Sequence, residues 1–111
     1  MADQAELLKG STDTLLLALL REEAKYGYQV IRELRERSDG YFRLQEGTIY
    51  PALHRLEQDG LVQASWQAMP SGPMRRYYRI TENGIAVLEA RVREWQQYAI
   101  AVRSVLVTAR L

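Results

Sequence analysis

The stretch of sequence that decides the fold is QEGTIYPALHRLEQDGL, residues 45–61. Its apolar residues recur at helical spacing and so share one face of a helix: Ile49, Leu53 and Leu56. Because proline is tolerated only in the first turn of a helix, Pro51 predicts a regular start near Thr48. A glycine at position 60 is a typical helix end. The sequence therefore predicts a short amphipathic helix over residues 48–60.

The opposite face of this helix is mixed and mostly uncharged, as a surface that contacts a DNA groove tends to be. It carries Thr48, Pro51, His54, Arg55 and Gln58, with Tyr50 at its border. The alternative is that this is one more core helix whose outer face only contacts solvent. Periodicity alone favours neither interpretation over the other.

A β-hairpin follows the helix. Residues 61–67 alternate apolar and polar side chains, residues 70–73 (PSGP) are typical of a turn, and a basic aromatic strand returns. In that strand, Arg76, Tyr78 and Ile80 are predicted to point to one side, and Arg75, Tyr77 and Arg79 to the other. A short helix with a polar face followed by an arginine-bearing hairpin is the outline of a winged helix-turn-helix.

The excess of positive over negative charge is concentrated in this hairpin. The net charge is only +1, but residues 61–80 hold three arginines and no acidic residue. A concentrated positive patch can bind phosphate even where the average charge cannot. The alternative for Arg75, Arg76 and Arg79 is a solvated strand face.

Two helices are expected before residue 45. The first covers about Ser11 to Glu23, is apolar on nearly all sides, and therefore should be buried on more than one face. The second opens at Tyr26-Gly27-Tyr28 and ends near Ser38. Its predicted core stripe is Tyr26, Val30, Ile31 and Leu34, and its predicted solvated side is Arg32, Glu33, Glu36 and Arg37.

A last helix is predicted from the cap residue Thr81 to about Ala109. It carries apolar residues at alternating spacings of three and four: Ile85, Leu88, Val92, Trp95, Ala99, Val102 and Leu106. Such a pattern requires a partner helix, and roughly 43 Å of helix is more than the rest of the chain can cover. The sequence therefore predicts a homodimer. Trp95 either fills the dimer core or, paired across the two-fold axis, forms a flat slot for a planar aromatic ligand.

Composition argues against enzymes, metal sites and membrane spans. The chain has a single histidine, His54, and no cysteine, and no nucleophile elbow or Gly-rich phosphate loop is present. We therefore expect no enzyme activity, no metal and no cofactor. The longest apolar run, residues 15–20, is far shorter than a membrane helix, and residues 1–4 lack the basic region with which a signal peptide starts. A cytoplasmic protein in a reducing compartment is expected.

Four motifs in order resemble the PadR family of bacterial transcriptional regulators. They are LKGS at residues 8–11, YGY at 26–28, EGTIYPALHRLE at 46–57 and RYYRITENG at 76–84. The resemblance covers essentially the whole chain and implies a mainly α (α+β) fold. That fold is a winged helix-turn-helix with a two-stranded wing over residues 1–80, and a long C-terminal dimerisation helix over residues 81–111, as in the family's short subgroup.

The resemblance also implies a function: a homodimer that binds double-stranded DNA at a near-palindromic operator, usually as a repressor. Carried over by motif position, Gly47, Thr48 and Tyr50 lie where the family's recognition helix meets DNA, and Tyr28 and Arg76 lie near the DNA backbone or the wing. Trp95 matches a position that lines an aromatic-drug slot in some relatives, whereas many members lack such a ligand. Here Ala99, not a second aromatic residue, follows Trp95 one turn later.

From these positions we expect a division of labour on DNA. The candidates for contacts to base edges are Thr48, His54, Arg55 and Gln58. Arg55 is the best placed for a bidentate pair with guanine, and Arg75, Arg76 and Arg79 would hold phosphates or enter the minor groove. The alternative function is a winged-helix protein-interaction module that dimerises without binding DNA, which the near-neutral net charge favours.

Overall fold

The computed structural model describes residues 4–108, with side chains from Ser11 to Val107. Over this range the elements run α1 (Gln4–Glu22), β1 (Lys25–Tyr26), α2 (Gly27–Arg37), α3 (Glu46–Gln58), β2 (Val62–Met69), β3 (Gly72–Ile80) and α4 (Glu82–Thr108). The predicted winged helix-turn-helix of mainly α, α+β class is confirmed. The end predicted for the last helix, Ala109, lies outside the described residues.

One apolar core joins the helices to the base of the hairpin. Leucines of α1 enter it from several sides of the helix, which agrees with the prediction that this helix is buried on more than one face. The buried apolar residues are Leu16, Leu17, Leu19, Leu20, Val30, Ile31, Leu34, Ile49, Ala52, Leu53, Leu56, Val62, Tyr78 and Leu88.

The hairpin of β2 and β3 has the predicted alternation. Val62 pairs with Ile80, Ala64 with Tyr78 and Trp66 with Arg76, so these six side chains share the face that turns toward the core. Only the residues at the base of this face are buried, and the part near the tip extends beyond the core.

A third strand, which the sequence analysis missed, completes the sheet in the order β1-β3-β2. In β1, Lys25 pairs with Tyr78 and Tyr26 with Tyr77. The sequence predicted a sheet of two strands, and the structure has three. Tyr26 was also predicted to open α2, but it lies in β1 and precedes the helix. Two residues are too few to show the alternation by which a strand is recognised in a sequence.

The start of α3 also differs from the prediction, because the helix begins at Glu46 and places Pro51 in its second turn. Proline lacks the N–H that would bond to the carbonyl four residues earlier, which here belongs to Gly47. Gly47 is exposed, so water can take the place of that donor. The first turn is held instead by the Gln45 carbonyl, which accepts from the N–H groups of Thr48 and Ile49.

The start of α4 is fixed to the end of α3. As predicted, Thr81 caps the helix, since its Oγ1 accepts from the Gly84 N–H at 3.1 Å. The same hydroxyl donates to the Gly60 carbonyl at 2.7 Å, and the Thr81 N–H donates to the Leu61 carbonyl at 3.0 Å. A Cβ at Gly84 would overlap that Leu61 carbonyl. The turn that follows α3 and the cap residue that precedes α4 are therefore in direct contact.

A charged cluster ties α1, β1 and α2 together, and the sequence analysis did not predict it. The ammonium of Lys25 is 1% exposed and donates to Glu22 at 2.8 Å and Glu33 at 2.9 Å. Arg37 pairs with the same two carboxylates. Glu33 therefore does not belong to the solvated side of α2, because β1 carries Lys25 inward beside it.

The charges of this cluster stabilise one another. Hydrogen bonds from Arg37 and Lys25 lower the pKa of Glu22 to about 2. Burial by itself would lower the pKa of Lys25, but the hydrogen bonds to Glu22 and Glu33 raise it above its ordinary value. Each group is thus held in its charged form.

Candidate nucleic-acid interface

The outer face of α3 is exposed along its whole length. Ile49, Ala52, Leu53 and Leu56 are buried, whereas the predicted outer residues are all exposed: Thr48, Pro51, His54, Arg55 and Gln58. The two predicted faces of this helix are confirmed. α3 thus presents hydroxyl, imidazole, guanidinium and amide groups on one convex surface.

Aromatic side chains border this surface on the side of α2. The ring of Tyr50 lies over Gly27, in the space that a Cβ at position 27 would occupy. Burial, the charge of Glu46 and the neighbouring Tyr78 raise the pKa of the Tyr50 phenol, which therefore stays neutral. Tyr28, one residue along α2, is exposed. Glycine is required at position 27 because the Tyr50 ring is packed against its backbone.

Arg55 has an ion-pair partner inside the protein. Its Nη2 lies 3.2 Å from Oδ1 of Asp13 on α1, and about half of the Arg55 side chain is exposed. The two residues are 42 positions apart, so the sequence pattern gave no signal of the contact. In this structure Arg55 links α3 to α1.

The three wing arginines have different surroundings. Arg75 lies over the ring of Tyr26 at 4.4 Å, and Arg79 donates to Oε1 of Gln63 at 2.9 Å. Both are exposed and, as predicted, occupy the same side of β3. Arg76, on the other side, is partly buried and donates to Oε2 of Glu57 at 2.8 Å. Arg75 and Arg79 therefore carry the charge that faces solvent.

The apolar stripe of α4 is used in two ways. Leu88 is 3% exposed because it belongs to the core of its own chain, and Ile85 is partly buried. From Val92 onward the stripe is exposed: Val92, Trp95, Ala99, Val102 and Leu106. Leu88 is consequently unavailable for the dimer contact that the spacing predicted for it. We call the exposed set, Val92 to Leu106, the α4 stripe.

A second aromatic residue, which the sequence analysis missed, lies beside the α4 stripe. Tyr98 stacks on Trp95 with ring centroids 5.4 Å apart and planes inclined by 17°. Both rings line an apolar groove of about 530 Å³ together with Val102 and Leu106. The signal was available in the sequence, since residues three apart on a helix are neighbours.

The described part of the chain contains neither a metal-binding cluster nor a membrane-spanning helix. Between Ser11 and Val107, no three His, Asp or Glu side chains are close enough together to hold a metal ion. None of the helices within residues 4–108 has the length and apolar character that crossing a membrane requires.

Comparison with known proteins identifies the family. The model of the PadR-like family of transcriptional regulators matches residues 16–90, about two thirds of the chain. The chain belongs to this family. The match includes α2, α3, the wing and the first turns of α4, which are the elements that form the exposed surface of α3 and its surroundings.

Solved structures and a curated relative agree with this assignment. A transcriptional regulator from Clostridium thermocellum superposes with a TM-score of 0.81 at 29% identity, covering 93% of this chain and 97% of the other. A PadR-like regulator from Bacillus cereus gives 0.78 at 31%, covering 91% and 96%. A transcriptional regulator from Mycobacterium tuberculosis is 45% identical over 58 residues, which are 52% of this chain and 53% of that protein.

Family membership decides the class of function. The PadR-family chain is a transcriptional regulator and not an enzyme. PadR regulators bind DNA, which gives the exposed face of α3 and the solvent-facing arginines of the wing a candidate partner.

Proposed function

We propose that this PadR-family regulator binds duplex DNA as a homodimer, with α3 in the major groove and the wing along the neighbouring backbone. The observation that carries the proposal is the exposed, mostly uncharged outer face of α3 next to a wing that has arginines and no acidic residue. A helix of this kind fits the major groove, and arginines fit phosphates.

Base contacts come from the outer face of α3 in this proposal. Thr48, His54 and Gln58 are exposed and have side chains that hydrogen-bond to base edges. Gly47 is exposed with open space around it, so the DNA backbone can approach the start of the helix. Tyr50 and Tyr28 flank that start and contact the sugar-phosphate backbone.

Arg55 reads a base only by leaving Asp13. About half of the Arg55 side chain and 17% of the Asp13 side chain are exposed, and an ion pair at a protein surface stabilises a protein by about 1 kcal/mol or less. A bidentate arginine–guanine pair contributes about 1–3 kcal/mol of discrimination. The exchange of partners is therefore favourable at a site that offers a guanine, and unfavourable where it does not. Arg55 thereby makes the largest contribution to sequence preference.

Phosphate contacts come from Arg75 and Arg79, which face solvent. A homodimer carries four such arginines. If each neutralises one phosphate, the binding constant falls by roughly 10²-fold between 50 and 200 mM salt, since the logarithmic slope is about 0.9 for each phosphate contact.

The α4 stripe forms the dimer contact, and residues 81–111 act as the dimerisation helix beside a DNA-binding domain of residues 1–80. A two-fold dimer places two copies of α3 about one helical turn of DNA apart, roughly 34 Å, which matches a near-palindromic operator. We further propose that binding represses the adjacent gene, and that a small planar aromatic ligand at Trp95 and Tyr98 relieves repression.

The test is selection of bound fragments from the native genome, followed by titrations of the enriched sequence. We expect a near-palindrome, relaxed sequence preference in Arg55→Ala, and weaker binding to all duplexes in Arg75→Ala. Removal of the regulator should raise expression from the enriched promoter, whereas lower expression would make it an activator. If no duplex binds at 50 mM salt, the protein is instead a winged-helix interaction module.

A further inference from the structure

Arg76 differs from the other wing arginines in all its contacts. Its Nη2 donates to Glu57 on α3 at 2.8 Å, and its guanidinium lies 5.9 Å from the Trp66 ring centroid and 5.7 Å from that of Tyr78. Its Nε is fully buried and has no hydrogen-bond partner among the described residues. The side chain lies between the wing and α3 and is partly buried, whereas Arg75 and Arg79 are exposed.

Because of the position of Arg76 along the hairpin, its contact with Glu57 restrains the exposed end of the wing. From Gly72 to Arg75 the strand β3 is exposed, and Arg76 is the first residue from the tip that is partly buried. The next anchored residue on the same face is Tyr78, in the core. Arg76 and Glu57 therefore connect the free part of the wing to the last turns of α3.

We propose that Arg76 is a positioning residue, which holds the wing at a fixed angle to α3 and does not bind a phosphate. The inference rests on the proposed DNA binding by α3 and the wing. The angle decides whether Arg75 and Arg79 reach phosphates while α3 is in the groove. Because Arg76 also neutralises Glu57, its loss would expose a carboxylate to the DNA.

The direction in which Glu57→Ala changes the affinity for DNA shows whether Arg76 positions the wing or binds a phosphate. Glu57→Ala removes a negative charge, so electrostatics alone predicts tighter DNA binding. If Arg76 positions the wing, Glu57→Ala weakens binding by about three- to tenfold, and Arg76→Ala does the same. The double variant should bind DNA no more weakly than Arg76→Ala, because each substitution removes the same contact between Arg76 and Glu57. A double variant that regained wild-type affinity would show that Arg76 only masks Glu57, and would overturn the proposal.

The salt dependence supplies a second criterion, with Arg75→Ala as the matched control on the neighbouring residue. Arg75→Ala should lower the logarithmic slope by about 0.9 for each protomer. Glu57→Ala removes no cation, but it should also lower the slope, because Arg75 and Arg79 then no longer reach their phosphates. A slope that fell in Arg76→Ala but stayed at the wild-type value in Glu57→Ala would make Arg76 a phosphate ligand and overturn the proposal.

A measurement without DNA keeps this inference distinct from the proposed function. In Trp95→Phe, Trp66 is the only tryptophan, since the chain has two. Glu57→Ala should increase acrylamide quenching of Trp66 as Arg76→Ala does, because it releases the guanidinium beside the ring. Arg75→Ala should not. Unchanged quenching in Glu57→Ala would overturn the proposal even if the protein binds DNA. Increased quenching in a protein without DNA affinity would refute the proposed function alone and leave Arg76 as the residue that fixes the wing.

Discussion

The substitution Val102→Asp should convert the dimer to a monomer without unfolding the chain. Val102 lies on the α4 stripe between Trp95 and Leu106, and all three are exposed within one chain. An aspartate there faces solvent in the monomer, so the core is unaffected. In the dimer the carboxylate would lie in the apolar contact between two copies of α4.

The expected rise of the dimer dissociation constant follows from the free energy needed to bury that carboxylate. An aspartate forced into an apolar contact can be protonated instead, which at pH 7 costs about 4 kcal/mol for an ordinary pKa of about 3.9. This limits the cost to about 3–4 kcal/mol for each side chain. A dimer contains two such side chains, so the dissociation constant should rise by up to roughly 10⁴- to 10⁶-fold.

Sedimentation velocity over a concentration series measures this change, with circular dichroism to show that the fold is retained. The matched control is Ile100→Asp, also an apolar-to-acidic change in exposed α4 but outside the stripe. It carries the same loss of helix propensity and should leave the dimer intact. Leu88→Asp should unfold the chain, because Leu88 is in the core. The reasoning would be refuted by a dimer that survives Val102→Asp, or by equal dissociation in Ile100→Asp.

Three further predictions concern the stability of the fold, its dependence on acid pH, and DNA binding. Gly84→Ala should lower the melting temperature by about 10 °C, from about 2 kcal/mol of overlap with a backbone carbonyl, whereas Gly47→Ala, in open space, should not lower it. Hydrogen bonds chiefly from Arg37 lower the pKa of Glu22 from 4.5 to about 2, so its contribution to stability is complete above pH 4.5 and is lost toward pH 2. Glu22→Gln should therefore flatten thermal stability over that interval, and an unchanged pH profile would contradict this. Gly27→Ala should displace the Tyr50 ring and weaken DNA binding, while adding it to Tyr50→Ala should cause no further loss in titrations of the operator.

The features that could be predicted from the sequence are those set by local periodicity. The buried and exposed faces of α3 follow from helical spacing alone, and the pairing of β2 with β3 follows from alternation around a proline-glycine turn. The Thr81 cap is also local, since it joins residues three apart.

The features that were missed depend on contacts between distant residues. Arg55 and Asp13 meet only after α1 and α3 have packed together, and Arg76 meets Glu57 across 19 positions. Lys25 is buried because a two-residue strand turns it inward, which no periodicity can indicate. From their charge alone, these side chains were expected to contact solvent or phosphate, and in the structure each has a carboxylate partner within the chain.

The apolar repeat of α4 is continuous, but the spacing does not show which of its residues pack within their own chain and which stay exposed. Leu88 and Val102 fit the same repeat, yet α1 packs near the first half of the helix, where Arg21 also lies 3.6 Å from Glu89, and leaves the second half exposed. One rigid helix thus contributes to the core of its own domain and to the proposed dimer contact. Because Thr81 bonds to Gly60 and Leu61, that helix is joined directly to the turn that follows α3. In a dimer formed through the α4 stripe, the separation of the two α3 helices is consequently set by how the two copies of α4 cross. A ligand between the Trp95 rings that altered this crossing would move both α3 helices relative to successive major grooves.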